Sequence, residues 1–123
     1  MIVGAVKANG EATIRLLVLG ADAQAHEVDA VIDTGFTGYL TLSSSLISRL
    51  GLEWRGREEG LLADGSLQLF DVYAATVIWD GRSRIVETDA TDTVPLIGMG
   101  LMYGHDLRIQ VIEGGRVTIE ALP

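Results

Sequence analysis

The chain has 123 residues, 48% hydrophobic and 21% charged, with 17 acidic side chains against 9 basic, a formal net charge of -8, 15 Gly and no Cys. It is apolar enough to pack a core and long enough for one domain, residues 1–123, but too short for a two-lobed enzyme that builds one site from two similar domains. The acidic balance argues against a nucleic-acid partner, and the lack of cysteine excludes disulfides, thiolate nucleophiles and thiolate metal sites. No apolar run approaches the ~20 residues of a membrane span, and residues 1–7 lack the basic region of a leader. A soluble, cytoplasmic chain with no membrane partner is expected.

Short apolar runs punctuated by Gly, Asn-Gly and Asp-Gly recur from end to end. Asn9-Gly10 lies between residues 2–6 and 13–19 and predicts a hairpin on a type I′ turn, whose two central positions favour φ > 0. Residues 26–33 alternate Glu27 and Asp29 outward with Val28, Ala30 and Ile32 inward, the period of a half-buried strand. Residues 43–50 break that period: Ser43 is a helix cap, Leu46, Ile47 and Leu50 share a face, and Gly51 is the stop. Asp64-Gly65 predicts a hairpin joining 56–62 to 66–73, and Asp80-Gly81 another joining 74–79 to 82–88. Residues 99–104 suit one or two helical turns that pack Leu101 and Met102. Leu107, Ile109 and Val111 then alternate with Arg108 and Gln110, and Glu113-Gly114-Gly115 turns into Val117, Ile119 and Ala121. These signals are antiparallel. About eight strands with two small helices predict an all-β fold, a closed or nearly closed barrel, with Trp54 and Trp79 in its packing.

The stretch richest in chemistry is Val31-Ile32-Asp33-Thr34-Gly35-Phe36-Thr37-Gly38-Tyr39-Leu40, an apolar strand that ends in a carboxylate, a hydroxyl and a glycine. Burial beside Val31 and Ile32 raises the pKa of a carboxyl unless donors compensate. Thr34 offers a hydroxyl to tie the loop, and Gly35 permits close approach of a ligand or a second loop. The same tripeptide also suits a plain turn in which Asp accepts local hydrogen bonds. His26 and His105 lack carboxylates at metal-ligand spacing and read as structural or solvent-facing. Ser43-Ser44-Ser45 reads as helix entry, without a nucleophile-elbow pattern. Glu87, Asp89 and Asp92 read as a solvated acidic loop before a cation site. No metal or cofactor is expected.

Asp33-Thr34-Gly35 after an apolar strand resembles the active-site motif of the pepsin-like and retroviral-type aspartic proteases. Two further matches follow in order: Leu62-Ala63-Asp64-Gly65-Ser66, starting 29 residues after Asp33, is similar to the tip of the family's flap hairpin, and Pro95-Leu96-Ile97-Gly98-Met99 to its apolar-apolar-Gly motif before a short helix. The resemblance spans nearly the whole chain and is nearest to the small single-domain, retropepsin-like proteases of bacteria. It implies an acid-protease barrel and an aspartic endopeptidase acting on peptide or protein substrates. It also implies a homodimer, because one chain carries one Asp-Thr-Gly and the chemistry takes two carboxylates. Asp33 would be catalytic, and Thr34 and Gly35 would form the active-site loop. Ala63, Asp64, Gly65 and Ser66 would bind substrate from the flap, Phe36 and Tyr39 are pocket candidates, and Leu96, Ile97 and Gly98 are scaffold beneath the site. Gly100 stands where many relatives carry Asp or Asn, a polar side chain that can cap the helix and bind neighbouring loops, so local rigidity and dimer stability are where this chain departs from the pattern. The alternative is a catalytically inactive module of the same fold used for peptide binding or dimerisation.

Overall fold

A computed structural model describes residues 1–123. Ten strands form one sheet: β1 (Ile2–Val6), β2 (Ala12–Leu19), β3 (Ala25–Ile32), β4 (Leu40–Leu42), β5 (Glu53–Leu61), β6 (Leu67–Trp79), β7 (Arg82–Ala90), β8 (Leu96–Ile97), β9 (His105–Ile109) and β10 (Arg116–Ala121). Two short helices, α1 (Ser44–Leu50) and α2 (Met99–Met102), interrupt them. β2, β3, β8, β4, β7 and β6 follow one another as neighbours, and β6 returns to β2 through Leu17–Ile78, Val18–Val77 and Leu19–Thr76, closing a ring. β5 extends this ring beyond β6, and β1, β10 and β9 extend it beyond β2.

Period-2 burial makes the ring. On β2, Ala12, Ile14, Leu16 and Val18 are buried while Arg15 is exposed. On β6 and β7, Ala75, Val77, Trp79 and Val86 point into the same core of 20 apolar residues. α1 ends as its sequence dictates. Ser43 Oγ accepts from the Leu46 N–H at 3.2 Å, and Gly51 closes the helix at φ +66°, a left-handed conformation that a Cβ would strain.

Several expectations need correcting. The count is ten strands, because β4 and β8, three and two residues long, carry too little pattern to be seen. The runs expected at 66–73 and 74–79 are one continuous strand, Leu67–Trp79. The pairing is not purely antiparallel: β3 runs parallel to β8, and β4 to β7. The first hairpin has no type I′ turn. Gly10 has positive φ but Asn9 does not, and the Asn9 side chain instead accepts from the Glu11 N–H at 3.0 Å. Trp79 is core, its indole donating to His105 Nε2 at 3.2 Å. Trp54 is 57% exposed and donates to Asp71 at 3.2 Å. Val111 lies past the end of β9, exposed. No helix is long and apolar enough to cross a membrane.

Candidate active site

Asp33 is the first residue after β3, delivered by the two parallel pairs Val31–Leu96 and Ile32–Ile97. The ladder continues one step past the strand ends: Val31 N–H donates to Pro95 O and Asp33 N–H to Ile97 O, both at 2.9 Å. The backbone of Asp33 is thereby fixed to the segment that precedes α2. Its side chain is partly exposed, and Oδ1 accepts from the Gly35 N–H at 2.9 Å. The chain turns there, with Phe36 N–H donating to Asp33 O at 3.2 Å.

A shelf supports the loop. Gly98 N–H donates to Tyr39 O at 3.0 Å, Met99 N–H to Phe36 O at 2.8 Å and Gly100 N–H to Gly38 O at 2.9 Å. A Cβ on Gly98 would overlap Gly38 O and stand 2.6 Å from the Phe36 ring. On Gly100 it would stand 2.8 Å from Gly38 O. Only glycine lets the two backbones approach this closely. Gly100 therefore contributes a backbone contact of its own to the shelf, in place of a capping side chain. Gly38 is the opposite half of this contact, and its residue type alone does not mark it as such. A second brace is Thr41, buried on β4, whose Oγ1 accepts from the Leu96 N–H at 2.9 Å; nothing in the residue pattern marked it.

The remaining residues divide clearly. Leu96, Ile97 and Gly98 meet the Asp33 loop directly. The Thr34 hydroxyl is exposed and bonds to nothing in the chain, so it does not tie its own loop. The Phe36 ring lies against Gly38 and Gly98. Tyr39 is partly covered by Arg84, whose guanidinium carbon sits 5.7 Å from the ring centre while its Nη1 donates to Leu101 O at 3.2 Å.

Ala63, Asp64, Gly65 and Ser66 form the exposed tip between β5 and β6 and make no hydrogen bond to the Asp33 loop. Asp64 Oδ1 accepts from the Ser66 hydroxyl at 2.6 Å and the Ser66 N–H at 2.9 Å. The hydroxyl first and the amide second hold the Asp64 carboxyl below the ordinary carboxylate range.

One titratable group drew little notice from its sequence. Asp89 lies within β7 and not in a loop; burial, then the charges of Glu58 and Glu87, push its pKa up to about 6. No three His, Asp or Glu side chains converge as a metal-ligand cluster. Two clefts of the single chain, about 310 and 420 Å³, lie on the β9–β10 face and across β1–β2, not at Asp33.

No family model matches the sequence, and no curated protein does. Solved structures do match the fold. A retropepsin-like aspartic protease from Rickettsia conorii is similar with a TM-score of 0.63 at 16% identity, over 98% of this chain and 89% of that one. The EIAV protease complexed with the inhibitor HBY-793 is similar with a TM-score of 0.60 at 18% identity, over 77% of this chain and 88% of that one. The fold is retropepsin-like and all-β.

Proposed function

We propose that residues 1–123 form one retropepsin-like domain and half of an aspartic endopeptidase, which works as a homodimer on peptide or protein substrates. The observation that carries this reading is the Asp33 loop. A partly exposed carboxylate is fixed at the end of a strand, with its backbone bonded to Ile97 and its loop seated on Gly98 and Gly100. The fold in which it sits is shared with proteins described as aspartic proteases.

One carboxylate takes a proton from water or gives one to a carbonyl, but does not do both in a single step. Two copies supply the pair. Facing each other across a two-fold axis, two Asp33 carboxyls retain one proton between them, because like charges at close range oppose double ionisation. The ionised member takes a proton as water adds to the scissile carbonyl carbon, and the protonated member gives its own to the carbonyl oxygen. Collapse of the resulting diol breaks the C–N bond: the carboxyl that took the water proton passes it to the leaving nitrogen, and its mate takes a proton from a diol hydroxyl, which restores the single shared proton. No cofactor enters this scheme. The free Thr34 hydroxyl suits a partner across the axis, and Gly35 leaves room beside the carboxylate. The tip at Ala63, Asp64, Gly65 and Ser66 supplies backbone groups to an extended peptide, which binds as an added strand.

The deciding measurement is cleavage of a peptide library at pH values between about 3 and 7, with and without pepstatin, by the wild type and by Asp33→Asn. Pepstatin-sensitive cleavage that falls by at least about a thousandfold in the variant is expected. Cleavage that survives the substitution, or that is absent from the wild type throughout, overturns the enzymatic reading and leaves the binding module.

A further inference from the structure

The sheet has two outer strands, β5 and β9. β10 is occupied on both sides, by β1 and by β9. The terminal strands are thus paired within their own chain and are not free to interleave with those of a second copy.

The direction of the β9 backbone groups follows from its hydrogen bonds. Gln110 N–H donates to Arg116 O at 3.0 Å, and Leu122 N–H to Gly104 O at 2.9 Å. Bonded pairs alternate along an antiparallel ladder, so Asp106 and Arg108 turn their backbone groups toward Glu120 and Thr118 of β10. His105, Leu107 and Ile109 turn theirs outward, where no strand of this chain lies. Such a row of unpaired groups is a template for another strand.

The side chains add a code to that edge. Asp106 and Arg108 are exposed on one face, while Leu107 and Ile109 pack toward the core on the other. Neither charge has an ion-pair partner in the chain. Asp106 even stands opposite Glu120, a like-charge cross-strand pair.

We propose that β9 is the dimer edge: two copies pair β9 with β9 in antiparallel fashion about Leu107, each Asp106 beside Arg108 of the second copy. The proposal rests on the homodimer reading above and specifies its interface. Outward-facing residues must meet outward-facing residues, which leaves registers centred on Asp106, Leu107 or Arg108. Centring on Asp106 sets two carboxylates against each other, and centring on Arg108 sets two guanidinium groups against each other. Both are disfavoured. Centring on Leu107 engages all three outward residues, His105 with Ile109 and Leu107 with its own copy. It also places Asp106 and Arg108 at non-hydrogen-bonded positions, where facing Cα atoms are only about 4.5 Å apart and side chains meet most closely. The link to the site is short: the shelf beneath the Asp33 loop runs through α2 into β9.

The test is a charge exchange read by sedimentation at low salt, where exposed pairs are least screened. Asp106→Arg and Arg108→Asp each create two like-charge contacts per dimer, so each is expected to weaken dimerisation about tenfold or more. An equimolar mixture of the two variants should dimerise again, because one presents two Arg and the other two Asp. Misfolded chains would not rescue one another. Amide exchange gives a second reading. Dimerisation should slow the Leu107 and Ile109 amides and leave those of Asp106 and Arg108, already bonded to β10, unchanged. A wild-type dimer indifferent to both substitutions overturns the β9 edge and leaves the paired Asp33 carboxylates to another interface. A wild type that is monomeric at every concentration overturns both. Rescue on mixing, combined with cleavage that survives Asp33→Asn, keeps the edge and removes the dyad.

Discussion

Two hairpin tips in this molecule are built the same way and set in opposite surroundings. In residues 7–11, Lys7 N–H donates to Glu11 O at 2.8 Å, Gly10 N–H to Lys7 O at 2.9 Å, and the Asn9 side chain accepts from Glu11 N–H. In residues 62–66, Leu62 N–H donates to Ser66 O at 2.8 Å, Gly65 N–H to Leu62 O at 2.9 Å, and the Asp64 side chain accepts from Ser66 N–H. Gly10 and Gly65 have nearly the same φ, +89° and +84°. The first tip stands on buried Val6 and Ala12 and is clamped by reciprocal bonds of 2.9 Å between Val6 and the Gly114–Gly115 turn. The second rises on a ribbon whose Leu61, Leu67 and Leu69 are 73%, 66% and 59% exposed. Turn chemistry makes a hairpin; what its strands bury decides whether it is a fixed corner or a projecting arm with its apolar surface uncovered.

The sharpest way to break this contrast is to shave both stems. Val6→Ala should cost about 2 kcal/mol in urea unfolding, since it empties a packed position. Leu67→Ala should stay within about 0.5 kcal/mol and lower peptide cleavage instead. Equal stability losses would mean that the ribbon is packed as firmly as the corner.

The ribbon's root gives a smaller effect with a definite sign. Asp89 pairs in register with Val72, and Val72 with Gly56. A folded-state pKa raised to about 6 means that the folded chain keeps this proton where the unfolded chain has already lost it. Stability should therefore fall as pH rises from about 4 to 6 and stay lower above that. Asp89→Asn should match the wild type near pH 4 and exceed it at pH 7 in urea midpoint. A parallel pair of pH curves would refute this account.

Smallest is the effect at the tip itself. The Asp64 carboxyl is held below its ordinary value of 3.8, so its support of the turn is complete above about pH 4 and fades as pH falls through the lowered value. Asp64→Asn retains the acceptor, as Asn9 does in the first hairpin. The Ser66 amide shift should move with pH between 2 and 5 in the wild type and stay constant in the variant.

What could be read beforehand was whatever a few adjacent residues settle among themselves. Ser43 and Gly51 bracketed α1, Asp64-Gly65 and Asp80-Gly81 marked their hairpins, and Asp33-Thr34-Gly35 marked the loop that the fold now seats on Gly98 and Gly100. β4 and β8 escaped notice because their partners are distant: Leu40 pairs with Thr88 and Val31 with Leu96. The continuous strand through Tyr73 and Ala74 escaped because no turn residue was needed where a break was assumed. Trp54 misled because aromatic character does not say which side of a strand finds cover.

The sequence by itself determined the turns, the caps, the alternation of the strands and the single Asp-Thr-Gly, since each depends on backbone conformation and bonds within about four residues. Only the tertiary structure decided that Gly98 and Gly100 lie against the Asp33 loop, that one hairpin is a corner and its twin an arm, and that β10 is enclosed while β9 is left at the edge. Those outcomes depend on which surfaces meet across the whole chain, and burial is a property of both partners.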